Sequence, residues 1–428
     1  MELVMLVRRR FEPGTLKTQR RPPPLMNIIP ANHSVGSRPL KFAVVTANKG
    51  AGGSEELWIQ AASELVKMGH SVVAVTLWPT HSHPRLNALQ KAGIHHVTLA
   101  NGDGRWRRAL TRAFPKAFSV QAELRRLLAV YGPDFILFSS GTSLDGLSLL
   151  DVISRSSIPF GAVTHLVSPD HWPDDVTAAQ MIRLFAGARR FWAVSRHNLE
   201  LLETQLAFRF GNASIVRNPF LASGAPLPWR SVLDSVRFCM PGRLHPRTKG
   251  HDILIRVLAA QKWRDREWSL SIFGSGACEN RLRALVELHG LCKKITFHGH
   301  TGDIQGMWRD HDALLVPSRH EGLPLTVVEA MWVGRVVIAQ PAGGIQEVLD
   351  ATGSGFLAAG IGEVFFDEVM ERAWQQRDSW PAIAAAAARQ IRTLIPEAPE
   401  RIFAEELILL AADREPSVPS IVMPPAEG

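Results

Sequence analysis

The chain runs to 428 residues, 46% apolar and 21% charged, with a formal net charge of +8. That is more than one hydrophobic core comfortably fills, so two domains are expected. No apolar run reaches the roughly 20 residues of a membrane-spanning helix. The opening Met1–Val7 is short, with its arginines on the wrong side for a secretory signal.

Cys239, Cys278 and Cys292, without a C-x-x-C pair, point to neither a disulfide framework nor a zinc site. A reducing cytoplasm is the expected location. The positive charge is uneven. Residues 1–41 hold eight Lys and Arg against Glu2 and Glu12, a net of +6, which leaves +2 for the remaining 387. Residues 1–40 read as a disordered basic, Pro-rich tail, and Met26 offers an alternative start. Once that tail is set aside, the charge predicts no nucleic-acid partner.

Phe42–Thr46 reads as the first buried strand, and the glycine turn at 50–53 feeds a helix that runs to Met68 and stops at Gly69. Ser71–Leu77 follows as a strand. Apolar runs at His96–Ala100, Phe135–Ser139, Phe160–Thr164 and Phe191–Ser195 then alternate with helical patterns. Such alternation predicts a parallel sheet covered on both faces, in an N-terminal domain of residues 41–220. Within it, Arg105–Phe114 puts Trp106, Ala109, Leu110, Ala113 and Phe114 on one helical stripe, with Arg105, Arg107, Arg108 and Arg112 elsewhere. A helix of that kind either packs on the sheet or makes a peripheral contact with an anionic membrane.

Asn218–Pro228 breaks the pattern and reads as a hinge. Strands resume at Val236–Met240, Ser269–Phe273, Ile295–His298, Ala313–Val316 and Val336–Ala339, defining a second domain over 229–396. Residues 397–413 form a closing helix, centred on Pro399–Ala412, and 414–428 a second disordered tail.

The stretch Arg319-His-Glu-Gly-Leu-Pro-Leu-Thr-Val-Val-Glu-Ala-Met331 places Glu321 and Glu329 eight positions apart, after a strand and across the start of a helix. In open α/β folds ligands sit at the carboxyl ends of the strands, where helix N-termini present free N–H groups. Carboxylates there accept hydrogen bonds from sugar hydroxyls, and the N–H groups of Leu325 and Thr326 receive phosphate oxygens. Pro324, read as the first helical residue, withholds no needed donor. Glu329 lies among apolar neighbours and so needs a polar partner.

Upstream, Gly242-Arg-Leu-His-Pro-Arg-Thr-Lys-Gly-His-Asp252 sets Arg243 and Lys249 after the first strand of the second domain, a fixed positive charge where phosphate would lie. Asp310-His-Asp312 has the D-x-D spacing of a metal site, but it precedes its strand and so sits at the wrong end of the sheet; it reads as structural.

Five segments, which run along the chain in the family's order, resemble the retaining glycosyltransferases of family 4. They are the E-x7-E loop, the segment from Gly242 to Asp252, the pair Gly343-Gly-Ile-Gln-Glu347 and Gly353-Ser-Gly-Phe-Leu357, and Gly52-Gly-Ser-Glu-Glu56 before the first helix. The resemblance implies the GT-B fold: α/β, two Rossmann-like doubly wound parallel-sheet domains facing across a cleft, with the last helix crossing back to the first domain. It implies transfer of a hexose-type sugar from a nucleoside-diphosphate co-substrate, UDP or GDP, to a glycan or lipid-linked acceptor. Net retention and independence of a metal or other cofactor come with it.

By the same resemblance, Arg243 and Lys249 hold the donor diphosphate, Glu321 touches the donor sugar, and Glu329 touches the ribose. Gly274 and the turn with His300 and Thr301 pass beside the base, while Gly52 and Gly53 let backbone approach the ligand. His165, after the strand Phe160–Thr164, matches a histidine placed beside the reacting sugar, and Ser168–Asp175 shapes the acceptor side. Rival readings are a nucleotide-sugar epimerase on the same architecture and a non-catalytic glycan-binding or scaffold protein. A phosphorylase would require a pyridoxal-phosphate lysine, and a nicotinamide dehydrogenase a G-x-G-x-x-G turn that the chain lacks.

Overall fold

The computed structural model describes residues 38–48, 53–77, 86–99, 119–230 and 235–412. Gly52, the Arg105–Phe114 stripe, the basic tail through residue 37 and residues 413–428 lie outside them. Seven strands form the first sheet: β1 (Lys41–Thr46), β2 (Ser71–Thr76), β3 (His95–Thr98), β4 (Phe135–Ser140), β5 (Phe160–Thr164), β6 (Arg190–Ala193) and β7 (Ala213–Ile215). Every pairing is parallel and the order is β3-β2-β1-β4-β5-β6-β7.

Along β1, Phe42 and Val44 face the helix Glu56–Lys67, packing with Leu57, Trp58 and Leu65. Ala43 and Val45 face the opposite layer, with Leu149, Leu150 and Phe185. Burial on both faces is why the strand reads as a continuous apolar run instead of an alternating one.

The second sheet contains β8 (Val236–Pro241), β9 (Trp268–Phe273), β10 (Ile295–Gly299), β11 (Ala313–Val316), β12 (Val336–Ala339) and β13 (Phe356–Leu357), in the parallel order β10-β9-β8-β11-β12-β13. Phe238, Leu270, Leu315 and Ile338 bury against one layer of helices. Cys239, Leu314, Val316 and Val337 bury against the other, which includes Val327, Val328 and Met331. β1, β5, β9, β11 and β12 end where their expected apolar runs end, while β2, β4, β6 and β8 end one or two residues to either side. The short edge strands β7 and β13 are additions, because three and two residues carry no periodic signal.

The last described helix, Pro399–Ala411, lies against the first sheet. Its Phe403, Ala404 and Leu407 join the core formed by Phe42, Leu57 and Trp192. Trp192 meets Phe403 edge-on at 5.0 Å between centroids and donates its indole N–H to Glu406 at 3.2 Å.

The connecting segment Asn218–Pro228 is fastened to the second half. Leu227 N–H donates to the Val333 carbonyl, and the buried Arg335 guanidinium donates to the carbonyls of Leu227, Pro228 and Trp308. Asp312, at the start of β11, pairs with Arg230 and accepts from the Arg237 N–H, so its carboxylate is structural. Among the described residues, no helix is long and apolar enough to cross a membrane.

Candidate functional site

The carboxyl ends of strands from both sheets meet, and the residues following β1, β5, β8, β11 and β12 come together there. The loop after β11 is held by the one after β8. Arg319 N–H donates to the Thr248 carbonyl, and the Arg319 guanidinium makes a paired contact with Asp252 at 2.8 Å on each branch. That pairing keeps the Asp252 carboxyl below its ordinary value despite partial burial.

Gly250 lets the chain turn tightly at this point. Its φ is +70°, and a Cβ would strike the Pro317 carbonyl. Lys249 is thereby directed at Glu321, and its Nζ donates to the two carboxylate oxygens at 2.7 and 2.9 Å. Glu321 is buried and Lys249 half-buried, so two of the ammonium's three donors are engaged and one remains. Lys249 also lies over Gly242, whose neighbour Arg243 is exposed at the same strand end.

The first half supplies the opposite wall. Gly53 approaches the Leu325 side chain, and the His165 carbonyl lies against Gly322, where a Cβ would collide with it. The imidazole of His165 is buried, with Nε2 3.4 Å from Ser139 Oγ and Nδ1 lacking a hydrogen-bond partner among the described residues. Burial lowers its pKa to about 4, so the ring is neutral, and Nδ1 itself is enclosed.

Glu329 is oriented differently. It lies on the helix Leu325–Trp332, is 4% exposed, and accepts a hydrogen bond from Leu221 N–H in the connecting segment at 2.9 Å. Desolvation raises its pKa to about 7, opposed by Leu221 N–H and the Trp308 indole. This carboxylate has the polar partner that its apolar surroundings demand, and the partner belongs to the hinge.

Pro324 is one place earlier than expected. It stands before the helix in an extended conformation (ψ 128°), and Leu325 is the first helical residue. Leu325 and Thr326 still form the first turn, where N–H groups have no intrahelical acceptor. Gly274 N–H donates to the Gly299 carbonyl at 2.7 Å, which draws together the turns after β9 and β10. His300 is exposed there, and Thr301 borders a concavity of about 590 Å³ with Phe273, His298 and Asp303.

Lys249, Glu321, Gly53, Leu325 and the His165 backbone are thus gathered at one crevice, with Arg243 beside Lys249. Glu329 faces the hinge, and His300 and Thr301 lie along the neighbouring strand ends.

Two contacts across the crevice involve side chains that the sequence did not single out as partners. Glu347 accepts from the Arg196 N–H at 3.1 and 3.3 Å and lies 3.7 Å from Arg217. It thereby caps the helix Arg196–Leu206 of the first half with a carboxylate from the second, the favourable sign for a helix N-terminus. His320 Nε2 lies 3.2 Å from Asp170 Oδ2. Their partners are about 150 residues away in the chain, a distance over which local pattern carries no information.

The halves of the chain match two family models, "Glycosyltransferase Family 4" over residues 51–220 and "Glycosyl transferases group 1" over residues 235–371. An uncharacterized glycosyltransferase of Haemophilus influenzae is 24% identical over 320 residues, 72% of this chain and 82% of that protein. The lipopolysaccharide core biosynthesis mannosyltransferase LpcC of Rhizobium leguminosarum is 30% identical over 153 residues, 34% of this chain and 42% of LpcC. Among solved structures, a Rickettsia africae glycosyltransferase superposes with a TM-score of 0.67 at 16% identity, covering 88% of this chain and 99% of its own. Anabaena HepE in complex with UDP-glucose gives 0.67 at 18% identity, covering 86% and 99%. These neighbours share the two-domain GT-B architecture.

Proposed function

Because this chain belongs to the glycosyltransferases of group 1 and family 4, we propose that it moves a hexose from a nucleoside diphosphate to a sugar-bearing acceptor, with retention and without a metal. The Lys249–Glu321 pair at the strand-end crevice carries this reading. Two relatives supply chemical precedent: HepE was crystallised with UDP-glucose, and LpcC is described as a mannosyltransferase. UDP or GDP is accordingly the proposed donor nucleotide, and a glycan or lipid-linked sugar the proposed acceptor.

In the proposed step the bond between the sugar C1 and the phosphate oxygen breaks, and its electron pair leaves with the diphosphate. The acceptor hydroxyl attacks C1 from the same face and passes its proton to the departing phosphate. Lys249, through its remaining donor, and Arg243 stabilise the charge that develops on the diphosphate, assisted by the N–H groups of Leu325 and Thr326. Glu321 holds Lys249 in place and accepts from the donor-sugar hydroxyls. His165, at the end of β5, contacts the transferred sugar, and Glu329 the ribose. Two observations support the metal-free route: the cations already stand at the strand ends, and the one D-x-D motif considered has Asp312 committed to Arg230 and Arg237.

Release of UDP or GDP from UDP-glucose, UDP-galactose and GDP-mannose, measured in EDTA with sugar acceptors, tests the proposal. Turnover of at least one donor is expected, and Lys249→Ala is expected to lower kcat by about 100-fold or more. Full activity in Lys249→Ala would overturn the assignment. Conversion of the donor to its epimer without any acceptor would make the protein an epimerase.

A further inference from the structure

We propose that the Ser168–Asp175 segment is an acceptor-sugar cradle in which the indole of Trp172 stacks against a pyranose ring, locked beside the donor loop by Asp170 and His320. The inference rests on the transferase reading and adds to it the residue that holds the acceptor sugar. Among the described tryptophans Trp172 alone is exposed, at 62%. Its loop is nonetheless well anchored. The Ser168 carbonyl accepts from Gln205 Nε2 at 2.8 Å, Val167 N–H donates to Asn198 Oδ1 at 3.2 Å, and Asp174 caps the following helix through Thr177 N–H at 2.7 Å. An indole on a fixed loop is a preorganised contact surface, since little conformational freedom remains to be lost when a ligand arrives.

The second observation fixes where that surface lies. Asp170 reaches across to His320, whose chain neighbour Glu321 holds Lys249. Trp172 is two residues from Asp170, at most about 7 Å along the chain. The Trp172 backbone therefore lies close to that edge of the crevice, and on this proposal the indole borders the approach of an acceptor hydroxyl to the donor sugar. A pyranose has one face of C–H groups, which meets the negative face of an aromatic ring, while its hydroxyls turn outward. His171 and Asp175, exposed near it in the chain, offer polar groups suited to those hydroxyls. The loop's three aspartates, Asp170, Asp174 and Asp175, oppose contact with an anionic bilayer, so a sugar is favoured over a membrane.

The test uses the full chain labelled with 5-fluorotryptophan, the Trp172 line being assigned by its absence in Trp172→Phe. Titration with methyl glucopyranoside, galactopyranoside and mannopyranoside in the presence of UDP is expected to shift that line saturably. In transfer assays, Trp172→Ala is expected to raise the acceptor KM about tenfold or more while the donor KM moves far less, with Trp172→Phe recovering most of the loss. An unmoved Trp172 line with all three glycosides, or a line that moves only with anionic lipid vesicles, would overturn the proposal. Absence of donor turnover in the wild type would instead count against the transferase reading, and the glycoside titration would still decide this one.

Discussion

Glu329 combines two demands that conflict. Its carboxyl is buried and titrates near 7 in the folded chain against 4.5 unfolded. Between those values the native state binds more protons than the unfolded one, so this residue lowers stability as pH rises through the window. The full deficit, about 3 kcal/mol, is carried above pH 7 and is absent below 4.5. Glu329→Gln keeps an oxygen for the Leu221 N–H and removes the charge. The variant is therefore expected to melt a few degrees higher than wild type at pH 8 and no higher at pH 4.5, while transfer falls if the carboxylate reads a ribose. Equal melting temperatures at pH 8 would show that the ionised form costs nothing in the fold.

At this scale the chain announced some roles and concealed others. Lys249 and Glu321 sit in spaced motifs that the sequence assigned to one ligand, but the ion pair between them was not part of that reading. The hinge partner of Glu329 and the Asp170–His320 contact were not, because they depend on the approach of segments remote in sequence.

Among elements, the inner strands were the most readable, since burial on both faces leaves unbroken apolar runs such as Phe135–Ser139. The register of the neighbours and the two shortest edge strands lay below that signal. The start of the helix at Leu325 shifted by one residue because proline fits either the first helical position or the one before it. The closing helix offers a test of how elements share a core. Phe403 is buried against Trp192 in the first sheet's core, so Phe403→Ala is expected to cost about 3–5 kcal/mol. Hydrogen exchange should accelerate in the helix Glu56–Lys67, which this helix touches, and stay slow in β8 and β11. Uniform acceleration across both sheets would mean that the halves unfold as one unit.

For the whole molecule, a close approach of the two halves is the crossing of Gly322 and the His165 carbonyl. Gly322 has no left-handed backbone, so alanine is conformationally tolerable there and acts as a wedge between the halves. Gly322→Ala is expected to retain wild-type circular dichroism, widen the molecule in small-angle scattering, and reduce transfer by about tenfold or more through misplacement of groups across the crevice. An unchanged scattering profile with unchanged activity would show that the crevice accommodates the methyl group.

The return of the final helix to the first sheet also has a consequence for synthesis of the chain. The N-terminal sheet has all its strands by Ile215, yet Phe403 and Leu407 emerge from the ribosome only about 190 residues later. At roughly 5–20 residues per second, that is about 10–40 s during which the groove awaiting them is wet and apolar. Nascent chains are therefore most vulnerable to aggregation and most dependent on chaperones in this interval.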